Sequence, residues 1–301
     1  MSMSLNIALL GNPNTGKTSV FNKLTGLSQK VGNYPGITVE KKKGICKLSN
    51  TTKAHIIDLP GTYSLNASSI DESVVIELLL NKNNKDFPNV AVVVADVENL
   101  KRNLLLFTQV KDLGIPTLLL INMSDQMKRK GITIDIPMLE AKLNTRIALV
   151  SIRENKGLDL LKELLINYRE LSVKPTIKFE DIDQHYFDHL KNTFPDQQLY
   201  KLWLLITQDV NFAKIERKKI IDSIDFMTQS ETNLKKLQQK ETVKRYQFIN
   251  NILKNTLVID KESATDFRSK LDRILIHKFW GYIVFFLILM TIFQSIFNWS
   301  S

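Results

Sequence analysis

The run GNPNTGKT, residues 11–18, spaces two glycines ahead of a lysine–threonine pair in the pattern of a phosphate-binding loop. In such a loop backbone N–H groups converge on phosphate oxygens, and glycine permits the close approach. Gly11, Asn12, Pro13, Asn14, Thr15, Gly16, Lys17, Thr18 and the adjoining Ser19 are therefore the expected phosphate contacts. Lys17 brings a point charge, and the Thr18 hydroxyl is a ligand for Mg²⁺. About forty residues on, DLPG (58–61) ends an apolar run. A carboxylate there, Asp58, can hold Mg²⁺ through water, and the Gly61 amide can meet a terminal phosphate. NMSD (122–125) ends another apolar run. Asp125 can accept two N–H bonds from guanine where adenine offers none, so the wrong base leaves a carboxylate unpaired. Asn122 is expected to brace the phosphate loop, with Met123 beside the base. In SIRENKG (151–157), backbone N–H groups of Ser151, Ile152 and Arg153 can face the guanine oxygen.

A nucleotide switch also needs a hydroxyl that closes on Mg²⁺ when a third phosphate is bound. VGNYPGITVEKKKG (31–44) supplies it, with Gly36, Ile37 and Thr38 as contacts and Thr38 as the hydroxyl. Thr25 competes but falls in the first helical pattern. Lys17, Thr38 and Gly61 are thus the expected catalytic residues, and Thr18, Thr38 and Asp58 the expected Mg²⁺ ligands. Many GTPases carry glutamine directly after the D-x-x-G glycine. Here Thr62 and Tyr63 follow, and neither switch segment holds an arginine. Water must then be oriented by backbone groups. The Asn14 carbonyl oxygen offers a place for K⁺ beside the phosphates, predicting slow intrinsic hydrolysis raised by that cation.

These residues need a scaffold that gathers strand ends. LNIALL (5–10), AHIID (54–58), VAVVVAD (90–96), PTLLLIN (116–122) and RIALVS (146–151) are continuous apolar runs, the signature of strands buried on both faces. Helical patterns alternate with them, and Gly114 followed by Pro116 closes one. This predicts an α/β fold with a mainly parallel sheet over residues 1–170. VEKKKGICKLSNTTKAHIID (39–58) reads as a hairpin that adds one antiparallel edge strand. SVKPTIKFED (172–181) reads as a linker, and from about 181 to 257 there is no strand signal; residues 171–257 are expected to form an all-helical subdomain, with helices in LYKLWLLITQ, ERKKIIDSIDFM and TVKRYQFINNILKN. Residues 258–278 form a juxtamembrane approach. Phe279 to Phe297 is apolar but for Gly281, Thr291, Gln294 and Ser295. At ~1.5 Å per residue it nearly crosses a ~30 Å hydrocarbon layer, so 279–298 is expected to be a transmembrane helix. Lys270, Arg273 and Lys278 precede it, which puts residues 1–278 on the cytoplasmic side.

Of 301 residues, 44% are hydrophobic and 24% charged, a globular composition. The net charge of +10 directs attention to anionic partners. No RNA-binding module is recognisable, so nucleic acid is not expected. The basic runs KIERKKI (214–220) and NLKKLQQKETVKR (233–245) read as solvated helix faces. The single cysteine, Cys46, excludes an internal disulfide. His185 and His189 are four apart but lack a third ligand, so a solvated helix face is expected there too.

The combination resembles the FeoB family of bacterial ferrous iron transporters. GNPNTGKTSVFNKLTG, VGNYPGITVEKKKG, DLPGTYSLNASSIDE, NMSD, KRYQFI and DRILIHKFWGY carry the resemblance, which covers essentially the whole chain. It implies a Ras-like P-loop GTPase domain, a helical domain favouring the GDP form, and a multi-helix membrane domain carrying Fe²⁺. Asn14 matches the family's potassium-binding asparagine; Ile152 departs from its usual alanine. One membrane crossing cannot conduct iron, so the resemblance implies the regulatory part and first membrane helix of a longer protein in a bacterial inner membrane. The expected cofactors and ligands are GTP or GDP, Mg²⁺ and K⁺. Fe²⁺ (through the further membrane domain), the bilayer, a homo-oligomer and small cytosolic regulators are the expected partners. A membrane-tethered switch that recruits effectors without transport is the alternative. A ribosome- or tRNA-directed GTPase fits the apolar tail less well.

Overall fold

The computed structural model describes residues 3–26, 29–34, 39–66, 69–208, 229–260 and 275–299. Seven strands form one sheet in the order β2-β3-β4-β1-β5-β6-β8. Here β1 is Met3–Gly11, β2 Gln29–Asn33, β3 Glu40–Lys47, β4 Thr52–Asp58, β5 Val90–Asp96, β6 Thr117–Asn122 and β8 Ile147–Leu149. β4, β1, β5, β6 and β8 run parallel. β5 and β6 are buried at every position, which is why they read as unbroken apolar runs rather than alternating ones. The edge is more elaborate than the sequence reading: β3 is antiparallel to β4, and β2 is a second antiparallel strand beyond it. QKVGN gave no strand signal because an edge strand facing solvent needs no apolar alternation; Lys30, Val31, Gly32 and Asn33 are all exposed.

The helices lie between strands. They are α1 (Lys17–Thr25), α2 (Ile70–Leu80), α3 (Leu100–Asp112), α4 (Asp125–Lys130), α5 (Ile136–Leu143), α6 (Leu158–Ile166), α7 (Gln184–Thr193), α8 (Leu199–Thr207), α9 (Glu231–Thr256) and α10 (Trp280–Trp299). Ser69 caps α2, its side chain accepting from the Glu72 N–H, the S-x-x-E arrangement that fixes a helix start. Gly114 follows α3 at φ 68, a left-handed turn that costs glycine little. α1 packs one face on the sheet through Val20, Phe21 and Leu24, which join the core around Ile7, Leu9, Ile56 and Val92.

The chain divides into two compact units, Met1–Ser124 with Asp135–Thr256, and Asp125–Ile134 with Leu257–Ser301. In the second, β7 (Ile132–Ile134) pairs antiparallel with β9 (Leu257–Ile259). The sequence reading had no strand here. Three-residue strands so far apart in the chain leave no local period to detect. ERKKIIDSIDFM and KIERKKI lie outside the described residues, as does most of the juxtamembrane stretch.

In the first unit α9 departs from a merely solvated basic helix. Lys235, Lys236, Lys240 and Lys244 are exposed, but Leu234, Leu237, Glu241, Arg245 and Ile249 are buried along the opposite stripe. The charged pair is accommodated because it completes a network. Arg245 Nη1 donates to Asp112 Oδ2 at 2.7 Å and Nε to Glu241 Oε1 at 2.8 Å, while Trp203 Nε1 donates to Glu241 Oε2 at 2.7 Å. His185 and His189 are exposed on α7, and no group of three or more metal-ligating side chains occurs among the described residues.

Among the described residues no helix is long and apolar enough to cross a membrane. Side chains of α10 are described from Trp280 to Ile296, about 26 Å of rise. Phe285, Phe286, Leu287, Ile288, Met290, Phe293 and Ile296 are each more than half exposed.

Candidate functional site

The parallel strands bring their carboxyl ends to one edge of the sheet, where open α/β sheets place their ligands. β1 ends at Gly11 and runs into the loop 12–16, which opens α1. Asn14 at φ 67 and Gly16 at φ 81 are both left-handed; asparagine and glycine tolerate that conformation, which folds the loop back on itself. Gly16 is the N-cap of α1 and no side chain caps it. The first N–H groups of α1 are thus left to an anion, with the helix dipole adding to the attraction. Thr15 Oγ1 donates to the Asn12 carbonyl at 3.0 Å. A Cβ on Gly16 would lie 2.3 Å from Asn122 Nδ2, so glycine is sterically required as well.

β4 delivers Asp58, 6% exposed, against the start of α1. Thr18 Oγ1 donates to Asp58 Oδ2 at 3.1 Å, and Lys17 Nζ is paired with Oδ1. A hydroxyl and a carboxylate side by side are hard oxygen donors of the kind Mg²⁺ takes, one or two protein ligands with the rest from water and phosphate. Lys17 is within reach of the same place. Thr62, directly after Gly61, is turned away. Its N–H donates to the Gly11 carbonyl at 3.2 Å, and its hydroxyl lies 2.7 Å from the Ser64 carbonyl and 3.1 Å from Glu72 Oε1. At 1% exposure it is closed to solvent. Gly61 itself faces Pro13: a Cβ there would meet the proline ring at 3.1 Å.

β6 delivers Asn122, whose Nδ2 donates to the Thr15 carbonyl at 3.0 Å, tying the loop to a neighbouring strand. Met123 turns left-handed at φ 63, and the Ser124 N–H donates to the Val150 carbonyl at 3.1 Å. Past β8, Ser151 and Lys156 exchange backbone hydrogen bonds at 3.0 and 3.1 Å, closing the 151–157 loop. Ser151 is buried and its hydroxyl accepts from the Glu154 N–H at 3.2 Å. Ile152 packs on the hydrophobic core, and Arg153 is exposed. The larger side chain at 152 therefore points into packing, while the contact expected of this loop is a backbone one. Asp125 opens α4 in the second unit, where it accepts from Gln126 Nε2 at 3.2 Å. Gly36, Ile37 and Thr38 lie outside the described residues.

Sequence reasoning passed over the groups that hold the DLPG segment. Gln109 of α3, 1% exposed, accepts the Leu65 N–H at 2.8 Å. The Arg102 guanidinium stacks 4.0 Å from the centroid of Tyr63. Gln109 and Arg102 had no local signal, since each acts across more than thirty residues of chain.

A family model described as ferrous iron transport protein B matches residues 5–165. Similar proteins include the Fe(2+) transporter FeoB of Leptospira biflexa, 34% identical over 98% of this chain and 44% of that protein. The Staphylococcus aureus Fe(2+) transporter FeoB is likewise 34% identical, over 98% of this chain and 45% of its own length. The chain thus spans less than half the length of these relatives. Among solved structures, the cytosolic domain of the T. maritima FeoB iron transporter in its apo form superposes with a TM-score of 0.73 at 28% identity. That match covers 85% of this chain and all of the other. The GMPPNP form of the same domain gives 0.73 at 29% identity.

Proposed function

From the premise that the chain belongs to the ferrous iron transport protein B family, and has its Ras-like P-loop GTPase fold, we propose that it binds and slowly hydrolyses GTP as the cytosolic regulatory part of an Fe²⁺ transporter. The observation that carries this reading is the convergence of Lys17, Thr18 and Asp58 beside an uncapped helix N-terminus. In the loaded site Lys17 leaves Asp58 for the β- and γ-phosphate oxygens, and the α1 amides hold the phosphates in place. Thr18, Asp58 and Thr38 would hold Mg²⁺, which would supply positive charge to offset that of the phosphates. The Asn14 side-chain carbonyl oxygen would hold K⁺, a counter-charge in place of the arginine that neither switch segment supplies. Because Thr62 is committed elsewhere, the attacking water is oriented by backbone, with the Gly61 amide on the terminal phosphate. That substitution of backbone for glutamine supports a slow intrinsic rate. Asp125 reads the guanine N–H groups, Met123 flanks the base, and the Ser151–Arg153 amides face its oxygen.

We propose the apolar segment 279–298, whose side chains the structure describes only in part, as the first membrane crossing of a bacterial inner-membrane protein with residues 1–278 on the cytoplasmic side. A helix whose apolar side chains are mostly exposed is stable only if lipid or other helices cover them. The GMPPNP and GDP forms solved for the T. maritima domain support nucleotide-dependent states. Homo-oligomers and small cytosolic regulators remain partners of the reading. Calorimetry tests it. Wild type should bind GTP and GDP only with Mg²⁺ present, and Asp125→Asn should weaken GTP while accepting xanthosine triphosphate. No Mg²⁺-dependent binding, or an unchanged guanine preference, refutes the assignment.

A further inference from the structure

Asp86, in the loop between α2 and β5, is 6% exposed and takes a lysine on each oxygen. Lys41 Nζ donates to Oδ2 at 2.5 Å, and Lys43 Nζ to Oδ1. Burial alone would raise the Asp86 pKa; the two lysines outweigh it and hold the carboxyl below its usual range. Lys41 and Lys43 project from the same face of β3, two residues apart. The strand residue between them, Lys42, is the register partner of Asp58 on β4. The bracket therefore clamps β3 at the level of the nucleotide-site carboxylate. The Asp86 loop is closed by its own hydrogen bonds: the Asp86 N–H donates to Asn84 Oδ1 at 3.0 Å and the Phe87 N–H to the Asn84 carbonyl at 2.8 Å.

The same lysine reaches a second group. Lys41 Nζ lies 4.8 Å from the ring centroid of Tyr34, a cation–π distance. Tyr34 is 8% exposed, and its N–H donates to the Val39 carbonyl at 3.0 Å, one step beyond the Asn33–Glu40 pair of the β2–β3 ladder. Its hydroxyl is buried without a partner among the described residues. A phenol buried this way is kept for its ring. Burial first, then the charges of Asp86 and Asp58, push its pKa up, so the phenol stays protonated.

We propose that Lys41, Lys43 and Asp86 are positioning residues for the nucleotide site, acting through Tyr34 and through the β3–β4 register to fix where Asp58 stands relative to Thr18 and the incoming Mg²⁺–GTP. This rests on the reading of the site as a Mg²⁺-dependent GTPase. The bracket touches neither phosphate nor metal, so its effect is on geometry. A displacement of about 1 Å at a reacting centre costs up to ~100-fold in rate, and a loosened strand should show about a tenth of that loss.

The test uses the full chain in detergent, with steady-state GTP turnover, Mg²⁺ titration of that turnover, and binding of GDP and GMPPNP. Asp86→Asn and Lys41→Met should each lower kcat about tenfold. They should also shift the Mg²⁺ midpoint upward and weaken GMPPNP more than GDP. Lys41→Arg, which keeps both the pair and the stacking, should restore most of the rate. Tyr34→Phe should stay near wild type and Tyr34→Ala should not. If Asp86→Asn fails to fold, Lys43→Met leaves the Lys41 pair intact and reads the same three quantities. Turnover within twofold of wild type in folded Asp86→Asn and Lys41→Met overturns the proposal. So does lowered thermal stability with kcat, KM and Mg²⁺ midpoint unmoved, which would make the bracket a fold contact only. If wild type itself shows no Mg²⁺-dependent GTP binding, this inference and the function it rests on fall together.

Discussion

Replacing Arg245 with methionine tests how much a fully buried ion network contributes when one cation is shared by two carboxylates. Arg245, Asp112 and Glu241 have side chains at 0% exposure in their pairs. The guanidinium sits 4.7 Å from the centroid of Tyr200. Burial pulls its pKa down, but Asp112 and then Glu241 pull it up further, and the net direction is up. Arg245 thus stays charged. Arg245→Met keeps most of the stem volume and removes two charge-assisted hydrogen bonds. Asp112 retains the Thr176 N–H at 2.5 Å and the Thr176 hydroxyl at 2.9 Å, and Glu241 retains the Trp203 N–H. These neutral donors do not cancel two buried negative charges. Breaking a buried pair by removing one partner costs roughly 3–5 kcal/mol, and this site should fall in that range. Urea unfolding followed by tryptophan fluorescence measures it. Glu241→Gln in the Arg245→Met background should recover part of the loss, because one of the two stranded carboxylates is gone. A cycle over the two substitutions should give a coupling of about 1–3 kcal/mol. A loss under ~1 kcal/mol for Arg245→Met, the value of an exposed pair, would refute the claim that water does not reach this network.

Lys111 supplies a pH test. It is 1% exposed, its Nζ donating to the Asn144 carbonyl at 2.9 Å and the Ser172 carbonyl at 2.5 Å. Burial pushes its pKa down to about 8 against the opposing pull of Asp112. Between that value and ~10.4 in the unfolded chain, the unfolded state holds a proton that the folded state has lost. Stability should therefore rise with pH across this window, by up to ~1.4 kcal/mol per unit relative to Lys111→Met; parallel urea midpoints at pH 8, 9 and 10 would contradict it. Gly16→Ala should weaken GDP binding at least ~10-fold by calorimetry. It adds a Cβ 2.3 Å from Asn122 Nδ2 at φ 81, and left-handed backbone alone costs ~1–2 kcal/mol. Asn14→Ala should abolish any gain in turnover when K⁺ replaces Na⁺, while equal wild-type rates in the two salts would remove the cation role.

How legible the molecule was depends on how local each signal is. The five parallel strands announced themselves because burial on both faces demands unbroken Val, Ile and Leu, as in VAVVVAD and PTLLLIN. β2 did not, because solvent on its outer side imposes no pattern on QKVGN. β7 and β9 did not, because a three-residue ladder is specified by its partner rather than by itself. In α9 the lysine-rich spelling hid a buried stripe: Glu241 and Arg245 look like surface residues until Trp203 and Asp112 are seen to pair with them.

By itself the sequence determined the loop pattern GNPNTGKT, the apolar strands that end at Asp58 and Asn122, and the family. Those features depend on contiguous residues whose backbone geometry and hydrogen-bonding capacity are local properties. Tertiary structure alone decided that the Thr62 hydroxyl turns toward Glu72 and the Ser64 carbonyl, and that Gln109 and Arg102 hold the segment after DLPG. It also decided that Asp86 clamps the strand beside Asp58. Each of those is a contact between side chains brought together only when distant elements pack, where burial makes pairing obligatory and leaves no mark in the neighbouring sequence.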